Sequence, residues 1–250
     1  MMNTSIIKND IVYVLGSGSL WLNNEIRYSL RSVDKFLQNK GEVFVFGELP
    51  IFLDDKKLIH VPLIDISGDK ALNIRNKLVA ICNNPLVSEN FMLFNDDYFL
   101  RSAIDANNYP YYYKCDLYNT MNINRTLYRE HVIATINALE SRELSLYNFD
   151  THKPIIYNKK HLLEVINMYD WNIKHGYIMR SLYCNTVGVI GEFKLDSKIN
   201  LPLSAKRWDE KTIGEDCFSI DDRALGAGLN EFMRATYPDP SCYERQTIHQ

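Results

Sequence analysis

The stretch Phe91–Leu100 constrains the fold of this chain more than any other. Four apolar residues run directly into Asn95, Asp96 and Asp97, and apolar residues then resume at once. A short, uninterrupted apolar run is typical of a strand that is buried on both faces of a parallel sheet. Two adjacent carboxylates at the end of such a strand need water, a cation or hydrogen-bond donors, because burying unpaired charge is costly.

The position of these carboxylates has two interpretations. Asn and Asp are common turn residues, so the first interpretation is an ordinary loop after a strand. In open α/β sheets, ligands bind in the crevice at the carboxyl ends of the strands. Carboxylate oxygens there would suit Mg²⁺ or Mn²⁺, shared with the oxygens of a phosphate. On this segment alone both interpretations stay open.

Strand and helix patterns alternate along the first hundred residues. The sequence predicts strands at 11–15, 42–46, 57–61 and 91–94, and helices from Asn23 or Asn24 to Leu37 and at 70–82. This alternation predicts an α/β fold with a mostly parallel central sheet and helices on both faces. Gly16–Ser19 follows the first strand as a flexible loop whose N–H groups suit a phosphate, but it lacks the lysine of a P-loop.

The second half of the chain has weaker patterns. Helices are predicted at 129–142 and 159–168, a helix or helix edge at 180–185, and a final helix from Phe218 to about Thr236. Tyr109–Tyr113 is compatible with a strand or a loop.

Composition narrows the class of protein. With 46% hydrophobic and 24% charged residues, the chain should be globular, and a net charge of −3 gives no overall attraction to nucleic acid or an anionic membrane. The five scattered cysteines include no Cys-x-x-Cys pair, which predicts reduced thiols and no zinc site. The sequence has no signal-peptide pattern and no apolar run that is long enough to span a bilayer. We therefore expect a cytoplasmic protein without a membrane span.

Four segments of the chain resemble one known family. Glu25–Val33 reads Glu-Ile-Arg-Tyr-Ser-Leu-Arg-Ser-Val and resembles a signature of the Stealth family, which contains capsular polysaccharide phosphotransferases and the lysosomal-enzyme GlcNAc-1-phosphotransferase. Phe91–Phe99 is similar to its second signature, an apolar strand that ends in Asn-Asp-Asp. His152–Pro154 resembles its later His-containing region, and Arg180 matches an arginine that follows. The resemblance covers most of residues 10–185.

Two departures accompany this resemblance. Gly16-Ser17-Gly18 stands where the family usually has Val-Asn-Gly, and Asn73–Lys77 stands where its Asn-Ser and downstream Glu would be. The chain is also similar to small phage-type glycosyltransferases. Both resemblances imply a GT-A-like, Rossmann-like nucleotide-sugar transferase fold. They imply one domain over residues 1–250, with a nucleotide-sugar-binding half at 1–100 and an acceptor-side half at 101–250.

The resemblances imply a metal-dependent glycosyltransferase that moves a sugar from a nucleotide-diphosphate sugar to an acceptor hydroxyl. Asp96 and Asp97 would hold Mg²⁺ or Mn²⁺ against the diphosphate, with Asp97 the central catalytic residue. His152 is either a metal ligand or the base that activates the acceptor, and Asp221 or Asp222 is the rival base. The residues expected to bind the nucleotide sugar are Gly16, Ser17, Gly18, Arg27, Lys70, Arg75, Lys77, Asn95, Asp96 and Arg180.

The acceptor and the bond that breaks have alternatives. The acceptor is a hydroxymethylated base of phage DNA, contacted by Lys206-Arg207-Trp208 and Tyr111–Tyr113, or it is a glycan. A Stealth-type sugar-1-phosphate transferase would instead break the diphosphate and release a nucleoside monophosphate. A non-catalytic nucleotide-sugar-binding module is the third reading, and it predicts tolerance of changes at Asp96 and Asp97.

Overall fold

The computed structural model of the chain describes residues 8–121, 126–173, 175–201 and 214–246. Its strands are β1 (Asp10–Leu15), β2 (Leu37–Gln38), β3 (Val43–Gly47), β4 (Ile59–Val61), β5 (Asn90–Phe94), β6 (Tyr98–Leu100), β7 (Ile104–Asp105), β8 (Tyr111–Tyr113), β9 (Ile155–Asn158), β10 (Gly191–Phe193), β11 (Lys198–Ile199) and β12 (Cys217–Ile220). Its α-helices are α1 (Asn24–Phe36), α2 (Lys70–Asn83), α3 (Thr126–Glu140), α4 (Lys159–Met168), α5 (Met179–Val187) and α6 (Ala227–Thr236).

A five-stranded sheet with the order β4-β3-β1-β5-β9 forms the centre of the fold. β1 pairs in parallel with β3 and β5, and β3 pairs in parallel with β4. Only β9 runs antiparallel to its neighbour β5. The predicted α/β fold with a mostly parallel central sheet is therefore confirmed.

Side chains alternate across the central sheet, and each face is covered by helices. On β1, Ile11 and Tyr13 pack with Leu30 of α1, whereas Val12 points to the other face. On that face Val12 belongs to a core shared with α2, α3, α4 and α5. The period-two alternation of a strand thus sends one apolar set to each helical layer.

α1 buries Ile26, Leu30 and Val33, as the sequence predicts. Asn23 occupies the N-cap position in a left-handed conformation, with φ of 59°, and its side chain makes no capping hydrogen bond. The hydroxyl of Ser19 instead accepts hydrogen bonds from the backbone N–H groups of Trp21 and Asn23. The loop before the helix is therefore ordered by its own serine.

A second, three-stranded sheet has the order β11-β12-β6. β12 pairs antiparallel with β6, where Ser219 lies opposite Tyr98. The predicted helix from Phe218 is therefore wrong at its start. Residues 217–220 are all buried as a strand, and α6 begins only at Ala227.

The remaining predicted segments have mixed outcomes. The helices predicted at 129–142, 159–168 and 180–185 correspond to α3, α4 and α5, and Tyr111–Tyr113 forms β8, which pairs with β10. Lys206-Arg207-Trp208, the predicted basic contact to DNA, lies outside the described residues. Among the helices that the structure describes, none combines the length and apolar character needed to cross a bilayer.

Candidate functional site

A cleft of about 490 Å³ opens at the carboxyl ends of β1 and β5. The chain leaves β1 toward β3 and β4 on one side and then returns to the other side of β1 to form β5. Such a reversal separates the flanking connections and leaves a crevice at the strand ends. The walls of this switch-point cleft include Gly16–Ser19 after β1, Asn95–Asp97 after β5, and Asp222 from the loop after β12.

The structure brings most of the predicted site residues to this cleft. Those that line it are Gly16, Ser17, Gly18, Lys70, Lys77, Asn95, Asp96, Asp97 and Asp222. The predicted residues that do not line it are Arg27, Arg75, His152 and Arg180.

Three carboxylates crowd one end of the cleft. Glu25 is buried at 7% exposure, and burial raises the pKa of its carboxyl. Burial, together with the charges of Asp97 and Glu25, raises the pKa of Asp96 to about 7. A cluster of this kind favours protonation or a bound cation, because like charges close together disfavour ionisation.

Asp97 is the carboxylate that the protein itself stabilises. Its Oδ2 accepts a hydrogen bond of 2.6 Å from the hydroxyl of Ser219 on β12, and the ammonium of Lys198 lies 3.6 Å away. No sequence pattern predicts either partner, because Ser219 and Lys198 are distant from Asp97 in the sequence and come close to it only through the second sheet. Glu25 does belong to the Glu25–Val33 segment that carries the family resemblance, but the sequence does not predict that it lies at the cleft.

Two of the three lysines that line the cleft, Lys70 and Lys77, have different surroundings. Lys77 is 6% exposed, and its ammonium donates to the carbonyl of Leu15 at 3.0 Å and lies 2.6 Å from Asp65. It therefore holds the end of β1 against the loop after β4. Lys70 is exposed at the start of α2 and is available to an incoming anion, whereas the third cleft lysine, Lys198, lies beside Asp97.

Two of the predicted phosphate-binding arginines lie elsewhere. The guanidinium of Arg27 stacks over the ring of Phe52 at 4.0 Å and lies 3.6 Å from Glu244. Arg75 packs near the ring of Trp171 at 5.5 Å. Each of these side chains leaves its helix on a face that points away from the cleft.

His152 is paired with a carboxylate outside the cleft. Its Nδ1 lies 2.9 Å from Asp196, which also accepts a hydrogen bond of 2.7 Å from Lys114. Although burial acts in the opposite direction, His152 and Lys114 hold the pKa of Asp196 well below its usual range. The structure therefore does not bring His152 to Asp96 and Asp97. His152 is not placed to bind a metal ion together with these two carboxylates.

Arg180 lies in a second pocket, of about 660 Å³, that adjoins the switch-point cleft. The two cavities share Val14, Lys70, Ile74 and Asn95 in their walls. The second cavity, called the apolar pocket below, is lined by Leu78, Leu93, Tyr128, Tyr157, Ile178 and Arg180, among others.

The cleft offers a divalent cation only part of a coordination shell. Among the described residues, no group of three or more His, Cys, Asp or Glu side chains is arranged to hold a metal ion. Asp96 and Asp97 nonetheless supply oxygen ligands in a cluster with excess negative charge. These donors fit Mg²⁺ or Mn²⁺ of the kind that completes its shell with phosphate oxygens and water.

The fold and the cleft define this chain as a mixed α/β protein with a carboxylate-lined site at the switch point of its central sheet. No protein-family model matches the sequence, and no curated protein matches it with significance.

Proposed function

We propose that this protein is a metal-dependent glycosyltransferase with a GT-A-like fold, which moves a sugar from a nucleotide-diphosphate sugar to an acceptor hydroxyl. One observation carries the proposal: Asp96 and Asp97 at the end of β5 line the same cleft as the Gly16–Ser19 loop at the end of β1. Acidic oxygen ligands and exposed backbone N–H groups around one cleft are what a diphosphate with its cation requires.

Different residues of the cleft would bind the cation and the phosphate groups of the donor. Asp96 and Asp97 would hold the cation, which when bound offsets the charge that develops on the leaving nucleoside diphosphate. Lys70 would contact a phosphate oxygen from the rim. Ser219 holds the carboxylate of Asp97 in one orientation through its hydrogen bond, so that the ligand oxygen is already positioned.

Asp222 is the favoured base for the acceptor hydroxyl. It is exposed and lines the cleft, whereas His152 pairs with Asp196 and does not line it. A base must come within hydrogen-bond reach of the proton that it removes. Because Asp222 lines the cleft, it would come within such reach of an acceptor hydroxyl that enters there.

The test combines binding with product analysis. Thermal unfolding is measured with a panel of nucleotide-diphosphate sugars, with and without Mn²⁺, and a donor should raise the melting temperature only when Mn²⁺ is present. Asp97→Asn should abolish that shift and lower turnover by about 100-fold or more. Asp55→Asn, which removes an exposed carboxylate on the loop after β3, is the matched control and should change neither.

The released nucleotide identifies the bond that breaks. Sugar transfer releases the nucleoside diphosphate, and this is the expected product. Release of the monophosphate would replace the proposal by sugar-1-phosphate transfer. Full Mn²⁺-dependent binding and turnover in Asp97→Asn would contradict the role of the carboxylate pair.

A further inference from the structure

The apolar pocket beside the switch-point cleft contains buried polar atoms that have no hydrogen-bond partner. Its walls are mainly apolar, with Leu78 and Leu93 on one side and Ile178 on another. Arg180 and Tyr157 are among the polar side chains that also line it. In a folded protein nearly all buried polar atoms are paired, so unpaired ones in the wall of a cavity call for an explanation.

Arg180 is 8% exposed and carries a permanent positive charge. Its Nη1 donates to the carbonyl of Lys153, and its guanidinium lies over the ring of Tyr98 at 5.3 Å. Its Nη2 has no hydrogen-bond partner among the described residues. No carboxylate in the part of the chain that the structure describes forms an ion pair with it. The charge is therefore buried without a carboxylate in direct contact, although Asp150 acts on it from a longer distance. Burying a charge without a directly paired partner is costly, and a ligand could supply that partner.

Tyr157 places a second unpaired group in the same wall. Its ring is fully buried, and its hydroxyl lacks a partner among the described residues. Burial raises the pKa of Tyr157 well above its ordinary value, so the hydroxyl keeps its proton and can donate a hydrogen bond. Arg180 and Tyr157 thus place two unpaired donors in the wall of one cavity.

The beginning of α5 adds a third source of positive potential. Ile178, Met179 and Arg180 line the pocket at the N-terminus of this nine-residue helix. Thr135 accepts a hydrogen bond of 2.9 Å from the backbone N–H of Ile178, and the N-cap residue itself makes no side-chain cap to the N–H groups that follow. The first N–H groups of a helix have no intrahelical acceptor, and the helix dipole is positive at this end. Helix starts of this kind favour anions.

Asp150 also lines the pocket, but its charge is already engaged. Its Oδ2 accepts a hydrogen bond of 2.9 Å from Tyr128. Burial opposes ionisation, yet the positive charges of His152, Lys114 and Arg180 keep the pKa of Asp150 below its ordinary value. Asp150 therefore remains ionised without neutralising Arg180 by direct contact.

We propose that the apolar pocket binds a molecule with an anionic head group and an apolar body. The head, a carboxylate or a phosphate, would accept hydrogen bonds from Arg180, Tyr157 and the start of α5. The body would contact Leu78, Leu93 and Ile178. Because this pocket meets the switch-point cleft at Lys70 and Asn95, such a molecule is placed as the acceptor. That last assignment rests on the proposed function, whereas the binding itself does not.

Calorimetric titration of the full chain with small probes tests the binding, without nucleotide or metal. The probes are 3-phenylpropionate, phenyl phosphate and the neutral 3-phenylpropanamide. At least one anion should bind about 10-fold or more tightly than the neutral amide, since a hydrogen bond to an anionic acceptor is stronger than one to a neutral acceptor. The better of the two anions identifies the head group. Equal binding of the amide, or binding of no anion, would overturn the proposal.

Tyr157→Phe removes only the unpaired hydroxyl. It should weaken binding of the better anion about 10-fold and leave the melting temperature of the free protein unchanged or raised, because an unsatisfied buried group is lost. Tyr237→Phe is the matched control, since its buried hydroxyl donates to the carbonyl of Leu100 in another core. The control should lower the melting temperature and leave probe affinity unchanged. Unchanged probe affinity in Tyr157→Phe would contradict the proposal.

Arg180→Lys separates this pocket from the donor site. It keeps the charge but loses the planar fork, so probe affinity should fall while nucleotide affinity stays the same. The reverse pattern would assign the guanidinium to the nucleotide and overturn the inference. If the protein binds the anions but turns over no nucleotide sugar, the proposed function fails and the anion pocket stands.

Discussion

In the switch-point cleft, Asp96 is a carboxyl group whose ionised form is destabilised by its surroundings. Ser219 and Lys198 act on Asp97, whereas Asp96 has the charges of Asp97 and Glu25 beside it. Its pKa is raised to about 7, first by burial and then by these charges. A bound divalent cation would reverse this effect, since opposite charge favours the ionised form.

The raised pKa of Asp96 predicts a pH-dependent loss of stability. A folded-state pKa above the unfolded value gives stability that is present at low pH and is lost as the pH rises through the folded pKa. Without divalent ions, Asp96→Asn should therefore have a free energy of unfolding about 1–2 kcal/mol above that of the wild type at pH 8, a figure reduced because the carboxyl is partly exposed. The difference should vanish near pH 4. Urea denaturation across this range measures it.

Asp55→Asn is again the control for this experiment, because its carboxylate is exposed and lies outside the cleft. It should track the wild type at every pH. Parallel pH profiles of Asp96→Asn and the wild type would show that Asp96 ionises normally.

The spacing of the basic residues along α2 predicts which of them lie on the same face of the helix. Lys70 and Lys77 are seven positions apart, which is close to two helical turns, so they share one face. Arg75 is five positions from Lys70 and points about 140° away. Helical phase therefore predicts that both lysines, but not Arg75, line the cleft, as the structure shows. It cannot predict that Lys77 bonds to Leu15 and Asp65.

At the level of elements, the site depends on a strand that local patterns did not reveal. Phe218–Ile220 has a serine between two apolar residues and is followed by two acidic residues, and so short a segment is compatible with a strand or a helix start. Its identity as β12 depends on pairing with β6, more than a hundred residues earlier in the chain. β5 could be predicted, since its continuous apolar run reflects burial on both faces. β12 could not, because its partner is distant in sequence.

The pairing of β12 with β6 predicts a specific role for Ser219. Ser219→Ala removes the hydrogen bond of 2.6 Å to Asp97 and frees the carboxylate to reorient. Mn²⁺-dependent nucleotide affinity should fall about 10-fold, as for other residues that orient a metal ligand. The free energy of unfolding should change by only about 1 kcal/mol. Calorimetry and urea denaturation measure the two quantities.

Ser32→Ala is the matched control for Ser219. Ser32 is also fully buried, and its hydroxyl bonds to the backbone of Ser29 and Leu100. The control should lose stability and keep nucleotide affinity. If both variants keep full nucleotide affinity, the hydrogen bond from Ser219 is not required to orient Asp97 for binding.

On the scale of the whole molecule, the strand order arranges three cavities along one edge of the central sheet. A pocket of about 330 Å³ lies at the ends of β3 and β4 and shares Gly16, Ser17 and Asp65 with the switch-point cleft. The cleft in turn shares Lys70 and Asn95 with the apolar pocket. A donor and an acceptor that occupy neighbouring cavities would meet at Asn95, beside the carboxylates that we propose to be catalytic.

The segment after α6 holds two distant parts of the chain together. Arg31 of α1 makes a bidentate ion pair with Glu244, with bonds of 2.7 and 2.9 Å. The backbone of Tyr243 and Arg245 bonds to the loop between β3 and β4, through Asp54 and Phe52. The arginines of Glu25–Val33, the segment that carries the family resemblance, therefore contact protein rather than the cleft.

Glu244 decides between this structural role of the arginines and the donor-binding role that the sequence predicted for Arg27. Glu244→Gln should lower the free energy of unfolding by about 2–3 kcal/mol, because Arg31 and Arg27 lose a partner that is only 9% exposed in its side chain. Mn²⁺-dependent nucleotide affinity should not change. Glu231→Gln, an exposed residue of α6, should change neither. If Glu244→Gln keeps its stability but loses nucleotide affinity, the structural role is contradicted. Arg27 would then contribute to binding the donor, as the sequence predicted.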